Sequence, residues 1–158
     1  MTDSTQLMAG KRGLIMGVAN DHSIAWGIAR TLHEHGAELA FTYQGPALEK
    51  RVRPLAESVG SAHILPCDVT EEDSVSDVFS ALEGAWGGLD FVVHAVAYSN
   101  KEELKGLYVD TTRENFLQTL DISCFSFTSV AQYAVPLMKK NGGSLMTLSF
   151  SGAERVMP

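Results

Sequence analysis

A chain of 158 residues is about one domain, and at that length roughly two-thirds of the unfolded surface goes into a single core. Hydrophobic residues make up 45% and charged residues 20%, which excludes a disordered or fibrous protein. Twelve Lys+Arg against nineteen Asp+Glu leave a net charge of −7; the cations are scattered, whereas a nucleic-acid surface clusters them to displace phosphate counterions, so nucleic acid is not an expected partner.

Short apolar runs alternate with longer segments of helical period. Residues 12–18 (RGLIMGV) read as a strand, and residues 23–35 as a helix with Ile24, Ile28, Ala29 and Leu32 on one face, stopped by Gly36. A second strand at 38–43, a helix at 46–58 and a third strand at 62–67 follow. Thr70 is placed to cap a helix through Leu82, with Asp73 as the capping-box carboxylate. The fourth strand, 89–96, is apolar on both faces, as a buried parallel strand requires. A polar loop at 99–112 leads to a long helix over 113–139, a turn at Asn141-Gly142-Gly143 and a fifth strand at 144–150. The expected fold is α/β: a single Rossmann-like, doubly wound parallel sheet over 1–158 in three α/β/α layers, with right-handed crossovers.

The long helix is apolar around much of its circumference, through Phe116, Leu117, Leu120, Phe125, Val130 and Val135 among others. One such face packs on the sheet; the other belongs either to a large internal core or, as favoured here, to a second subunit. Cys67 and Cys124 are too few for a disulfide framework and are not spaced as zinc ligands, which fits reduced thiols in a cytoplasmic protein. The apolar run 91–98 is far short of the roughly 20 residues that span a bilayer. The first twelve residues lack the cationic and apolar segments of a signal peptide, so neither secretion nor a membrane partner is expected.

The first strand ends in Gly17-Val18-Ala19-Asn20-Asp21-His22-Ser23-Ile24-Ala25-Trp26-Gly27 and runs into the first helix. A doubly wound sheet binds the diphosphate of a dinucleotide at this junction, through a glycine's open backbone and unpaired helix N–H groups. Gly17 would allow close approach, Ser23 and the Ile24 amide would hold phosphates, and Gly27 would let the helix pack tightly on the strand. The generic GxGxxG spacing is absent. After the second strand, Gln44 offers a hydrogen bond to a ribose hydroxyl with no cation beside it, which favours NAD over NADP. After the third, Asp68 is either an acceptor for an adenine amino group, with the next amide serving a ring nitrogen, or a residue that starts the following helix. His33 and His35 belong to a helix end that favours cations, and His94 to packing or hydrogen bonding near the cleft.

In order along the chain, the G-x5-SIAxG turn, TYQ, CDV, HAVA, DIS with SFT, and MTLSF followed by SGAERVMP resemble one family. It is the NADH-dependent enoyl-acyl-carrier-protein reductases of bacterial type II fatty-acid synthesis, a divergent branch of the short-chain dehydrogenases. The resemblance implies NADH/NAD contacts from Gly17, Ser23, Ile24, Gln44, Asp68, Val69 and Val96, with Val96 near the ribose and Ser99 near the acyl substrate. It further implies hydride transfer from NADH to an enoyl thioester carried on acyl carrier protein, in a homotetramer assembled through the 113–139 helix. A Tyr donor stabilises the enolate oxygen and a Lys holds the ribose. Phe150 stands where many members carry Tyr, so it is expected to shape the pocket. No catalytic residue of the family falls within this chain: the Tyr-x6-Lys pair is expected beyond Pro158. A fifth strand with two apolar faces and no covering helix suggests likewise that the C-terminal strands and helices are missing and that the chain alone is inactive. An ordinary alcohol or ketone dehydrogenase is disfavoured by the absence of TGxxxGxG and NNAG. The other alternative is a catalytically inactive dinucleotide-binding fragment.

Overall fold

The computed structural model describes residues 6–138 and 142–155. Five strands, β1 (Arg12–Met16), β2 (Glu38–Tyr43), β3 (His63–Pro66), β4 (Phe91–His94) and β5 (Ser144–Thr147), form one sheet in the order β3-β2-β1-β4-β5. Every neighbouring pair is parallel, with Ile15 opposite Phe41 on one side and Val93 on the other. The helices are α1 (Ile24–Glu34), α2 (Gly45–Ser58), α3 (Glu72–Trp86), α4 (Arg113–Leu120) and α5 (Ser126–Met138). This is the expected Rossmann-like arrangement.

The period-2 alternation of the strands divides the core in two. Leu14, Met16 and Val92 point to the face covered by Val75, Val78 and Phe79 of α3 and Val130 and Ala134 of α5. Ile15, Phe41 and Val93 point to the other, where Ala25, Trp26 and Ala29 of α1 and Val52 and Ala56 of α2 close the layer. Full burial of each large aliphatic or aromatic side chain contributes about 1.5–3 kcal/mol. Gly13 is required in the middle of β1 because a Cβ there would lie 1.9 Å from the Phe91 ring.

Several sequence expectations change. The strands are shorter than the apolar runs, since β1, β4 and β5 end where the chain turns into loops at residues 17, 95 and 148. Thr70 does not cap α3. Glu71 is the cap residue, without a side-chain hydrogen bond, while the Thr70 amide and hydroxyl donate to Asp68 Oδ1 at 3.0 and 2.7 Å. Nor does α3 stop at Leu82; it continues until Trp86 is buried and Gly87, at φ +66°, closes it.

The long helix over 113–139 is not continuous. Thr112 caps α4 by accepting from the Asn115 amide, and a π-helical turn at Asp121–Phe125 then separates α4 from α5. At this turn the Ser126 hydroxyl bonds back to the Ile122 carbonyl at 2.6 Å, and the Ser123 hydroxyl faces the chain after β4. Lys139 and Asn141 lie outside the described residues. Along this segment Val130, Ala134 and Met138 face the sheet, while Phe116, Leu117, Leu120, Phe125 and Val135 are exposed on the single chain. On β5, Leu145 packs on the core while Met146, and beyond the strand Leu148, are exposed.

His94, at the end of β4, is 1% exposed and joins three elements. The Ser126 hydroxyl spends its proton on Ile122, so at 2.8 Å it accepts from His94 Nε2–H; His94 Nδ1 then accepts from the Thr147 hydroxyl at 3.3 Å. That arrangement fits a neutral ring, and burial holds the imidazole pKa below its usual value.

Two stability outcomes are expected. Gly13→Ala destabilises by about 1–3 kcal/mol through overpacking. Adding Phe91→Leu recovers part of that loss, so urea melts of the two single variants and the double variant give a favourable coupling. Equal and additive losses would contradict the contact. For His94, the unfolded ring binds a proton near pH 6.5 while the folded ring resists it, so stability falls as pH drops through about 6.5, by at most about 1.4 kcal/mol per pH unit. Melts between pH 8 and 5 show this slope, and His94→Asn flattens it.

Candidate functional site

β1 is hydrogen-bonded to β2 on one side and β4 on the other, so the chain leaves the sheet centre in opposite directions. Such a reversal opens a crevice at the carboxyl ends of the strands, where open α/β sheets bind ligands. A cleft of about 500 Å³ lies there, within the range of about 300–1,000 Å³ typical of small-molecule sites. Its walls are the segments that follow the strands: Gly17 to Ala19, Thr42 to Gln44, Cys67 to Val69 and Ala95 to Tyr98. Leu48 of α2, Gln118 of α4 and Ile122 of the π-helical turn complete it.

Of the residues singled out in the sequence, Gly17, Gln44, Asp68, Val69 and Val96 are brought together on this lining. Gly17 adopts φ +95°, and a Cβ on it would come within 2.0 Å of the Ala95 carbonyl oxygen. The glycine is therefore demanded by the neighbouring backbone, whether or not a ligand approaches.

Ser23 and Ile24 stand at the start of α1, off the lining. The Ser23 hydroxyl accepts from the Ala19 and Asn20 amides, both at 2.9 Å, and donates to the Asn20 carbonyl at 2.7 Å. Its bonding capacity ties the turn together, and what α1 presents outward is its unpaired first amides, beginning with Ile24. The Ile24 side chain is 67% exposed rather than part of the core-facing stripe, because Ala25, Trp26 and Ala29 take that face. Gly27 does not mediate close helix–strand packing either: it is exposed, and a Cβ on it would meet nothing within 4 Å.

Gln44 and Asp68 join the ends of β2 and β3, with Gln44 Nε2 donating to Asp68 Oδ2 at 2.8 Å. Partial burial pushes the Asp68 carboxyl up, but the bonds from the Thr70 hydroxyl, the Thr70 amide and Gln44 outweigh it and hold the pKa below the usual value. Asp68 is thus ionised at neutral pH, and its bonds from Thr70 shape the turn before α3. Among the described residues it is the only charged side chain on the lining, where no Lys, Arg or His appears. Burial and then the Asp68 charge push the Cys67 thiol up to about 11, so it is no thiolate nucleophile.

Ser99 and Phe150 fall off the lining. The Ser99 hydroxyl turns onto the helix, where Asn115 Nδ2 and the Thr119 hydroxyl each donate to it at 3.1 Å. Phe150 is 70% exposed. Three Tyr-x6-Lys spacings do occur, Tyr43 with Lys50, Tyr98 with Lys105 and Tyr133 with Lys140. Neither Lys50 nor Lys105 lines the cleft, Lys105 Nζ is paired with Glu102 at 3.1 Å on an exposed turn, Tyr133 is off the lining, and Lys140 lies outside the described residues. Sequence reading missed Thr42, Leu48, Gln118 and Ile122. The i, i+4 spacing of Gln118 and Ile122 on a helix beside the fourth strand was the one available signal. Among the described residues no group of three His, Cys, Asp or Glu could hold a metal ion, and no helix is long and apolar enough to cross a membrane.

Comparison with known proteins identifies the architecture. A family model described as enoyl-(acyl carrier protein) reductase matches residues 17–158. The chain is 62% identical over 152 residues to the NADH enoyl-[acyl-carrier-protein] reductase 2 of Rhizobium meliloti (strain 1021), covering 96% of this chain and 56% of that protein. The crystal structure of the Anaplasma phagocytophilum reductase in complex with NAD superposes with a TM-score of 0.92 at 57% identity, covering 97% of this chain and 58% of that one. The Bacillus cereus reductase, solved with NADP+ and an indole naphthyridinone, gives a TM-score of 0.92 at 45% identity, covering 96% and 60%. The chain thus spans a little over half the length of these relatives. It belongs to the enoyl-(acyl carrier protein) reductase family.

Proposed function

We propose that this chain is the coenzyme-binding part of an enzyme that reduces the trans-2 double bond of enoyl-acyl-carrier-protein thioesters with NADH during fatty-acid elongation. The observation that carries the reading is the cleft at the strand reversal, walled by backbone on both sides of Gly17 and holding Asp68 as its single charge. Residues of this kind suit a dinucleotide. The open backbone at Gly17 and the first amides of α1, Ile24 included, face the diphosphate, with Ser23 holding the turn that presents them. Gln44 reaches an adenosine ribose hydroxyl, Asp68 accepts from the adenine amino group with the Val69 amide beside it, and Val96 packs near the second ribose. Ser99 and its neighbours border the acyl side, and Phe150 shapes the pocket mouth.

When bound, NADH supplies the hydride that adds to the β-carbon of the thioester. Relatives are named or titled with NADH, NAD and NADP+, so the choice of coenzyme rests on local residues. A 2′-phosphate calls for a cation, and among the described residues the lining has none. The exposed face of Phe116, Leu117, Leu120 and Phe125 is the contact through which we propose that four copies assemble.

Two measurements test the reading. Fluorescence titration of the full-length protein gives saturable NADH binding, with NADPH at least about tenfold weaker, and Asp68→Ala or Gln44→Ala weakens NADH by about tenfold, equivalent to about 1.4 kcal/mol. Equal affinity for both coenzymes would remove the charge argument. In turnover assays, crotonyl thioester is reduced and a panel of ketones is not; ketone activity alone would make the protein an ordinary short-chain dehydrogenase.

A further inference from the structure

The chain that follows β4 is hydrogen-bonded to the helix beside it. Asn115 and Thr119 of α4 and Ser123 of the π-helical turn lie four residues apart on one helical face, turned toward residues 98–100. Asn115, 6% exposed, accepts the Asn100 amide on Oδ1 at 2.9 Å and donates to the Ser99 hydroxyl at 3.1 Å. Thr119 donates to the same hydroxyl at 3.1 Å. The Ser123 hydroxyl accepts the Tyr98 amide at 3.0 Å and donates to the Tyr98 carbonyl at 3.1 Å, so one side chain takes both backbone groups of a single residue. Immediately before Thr119 and Ser123 come Gln118 and Ile122, which line the cleft together with Tyr98. The same helical stretch therefore both builds one wall of the cleft and pins the opposite strand exit to it. At the end of the π-helical turn, Ser126 meets His94, the last residue of β4, at 2.8 Å.

We propose that Asn115, Thr119 and Ser123 are positioning residues that hold Tyr98 to Asn100 as a fixed wall against which the acyl part of the substrate is seated. This rests on the proposed reading in which the cleft holds the coenzyme and Ser99 and its neighbours border the acyl side. The hydroxyl protons of Thr119 and Ser123 are both given to protein, and the effect of the three side chains is to order a loop before substrate arrives, which lowers the ordering cost of binding.

The test uses the full-length enzyme. Ser123→Ala and Thr119→Val each raise KM for crotonyl thioester by about five- to tenfold, with kcat changed by less than about twofold and NADH affinity unchanged. Ser123→Thr, which keeps the hydroxyl, restores KM. Amide hydrogen exchange reads the clamp independently of turnover: the Tyr98 N–H loses protection in Ser123→Ala and keeps it in Ser123→Thr. An unchanged KM alongside faster Tyr98 exchange overturns the proposal, because the clamp then exists without serving substrate. Parallel losses of kcat, NADH affinity and melting temperature also overturn it, as a merely structural role. A wild-type enzyme that binds NADH but leaves the enoyl thioester untouched overturns the reading of the site instead, while the exchange experiment still reports on the clamp.

Discussion

The organisation of the molecule turns on one close approach, that of Gly17 to the Ala95 carbonyl. β1 and β4 lie side by side, joined at their ends by the Ala95 amide donating to the Met16 carbonyl at 3.1 Å. Immediately past that bond the two chains part in opposite directions. With a Cβ at position 17 only 2.0 Å from Ala95 oxygen, any side chain would force the exits apart or stop β1 from turning at φ +95°. The crevice opens where the two exits diverge, and the missing side chain at Gly17 permits it. Its location then follows from strand order, and its chemistry from the few residues each exit carries.

Charge is distributed along the sheet accordingly. At the amino ends of the strands, Arg12 Nε meets Glu38 at 2.9 Å, its Nη1 donates to the Trp86 carbonyl, and Trp86 Nε1 donates to the other Glu38 oxygen. Asp90 accepts there from the Arg12 amide and from Lys11. These groups tie β1, β2, α3 and the entry to β4 together at the closed end. At the carboxyl ends the lining carries Asp68 alone. Cations are thus occupied at the end of the sheet that binds nothing in the proposed reading, and the open end depends on backbone amides and one carboxylate.

How much of this was legible in the sequence depended on whether the governing interaction was local. Strand and helix order followed from apolar periodicity, since alternating residues such as Leu14 and Ile15 had to serve opposite layers. The cleft residues at strand ends, Gly17, Gln44 and Asp68, were legible because topology alone puts the ends of parallel strands together. What failed was set by partners far away in the chain. Gly27 looked like a packing glycine, but the layer was already closed by Ala25 and Ala29. Thr70 had the look of a cap, yet Asp68 claimed both its amide and its hydroxyl. The break in the long helix could not be read from DISCF; the hydroxyls at this turn find their partners in Tyr98 and His94, 25 and 32 positions earlier. For Ser99, too, the direction of the hydroxyl is decided by distant partners, Asn115 and Thr119.

The hydroxyls around the cleft share one behaviour. Ser23 ties the β1–α1 turn, Ser99 and Thr119 bind each other, Ser123 takes the Tyr98 backbone, and Ser126 serves Ile122 and His94. A serine beside a binding site invites the reading of a ligand donor, but a hydroxyl has a single proton and here each is committed to protein. A donor already satisfied internally gains little by turning to a ligand, since one hydrogen bond is exchanged for another. Its value lies in fixing the backbone that does make contact. A site built in this way selects by shape and by amide direction more than by side-chain chemistry, and it pays its ordering entropy on folding rather than on binding. In the proposed reading few charged groups are then needed at the open end of the sheet: with the loops held by their own hydroxyls, amides at the start of α1 and the Asp68 carboxylate are left to orient the coenzyme.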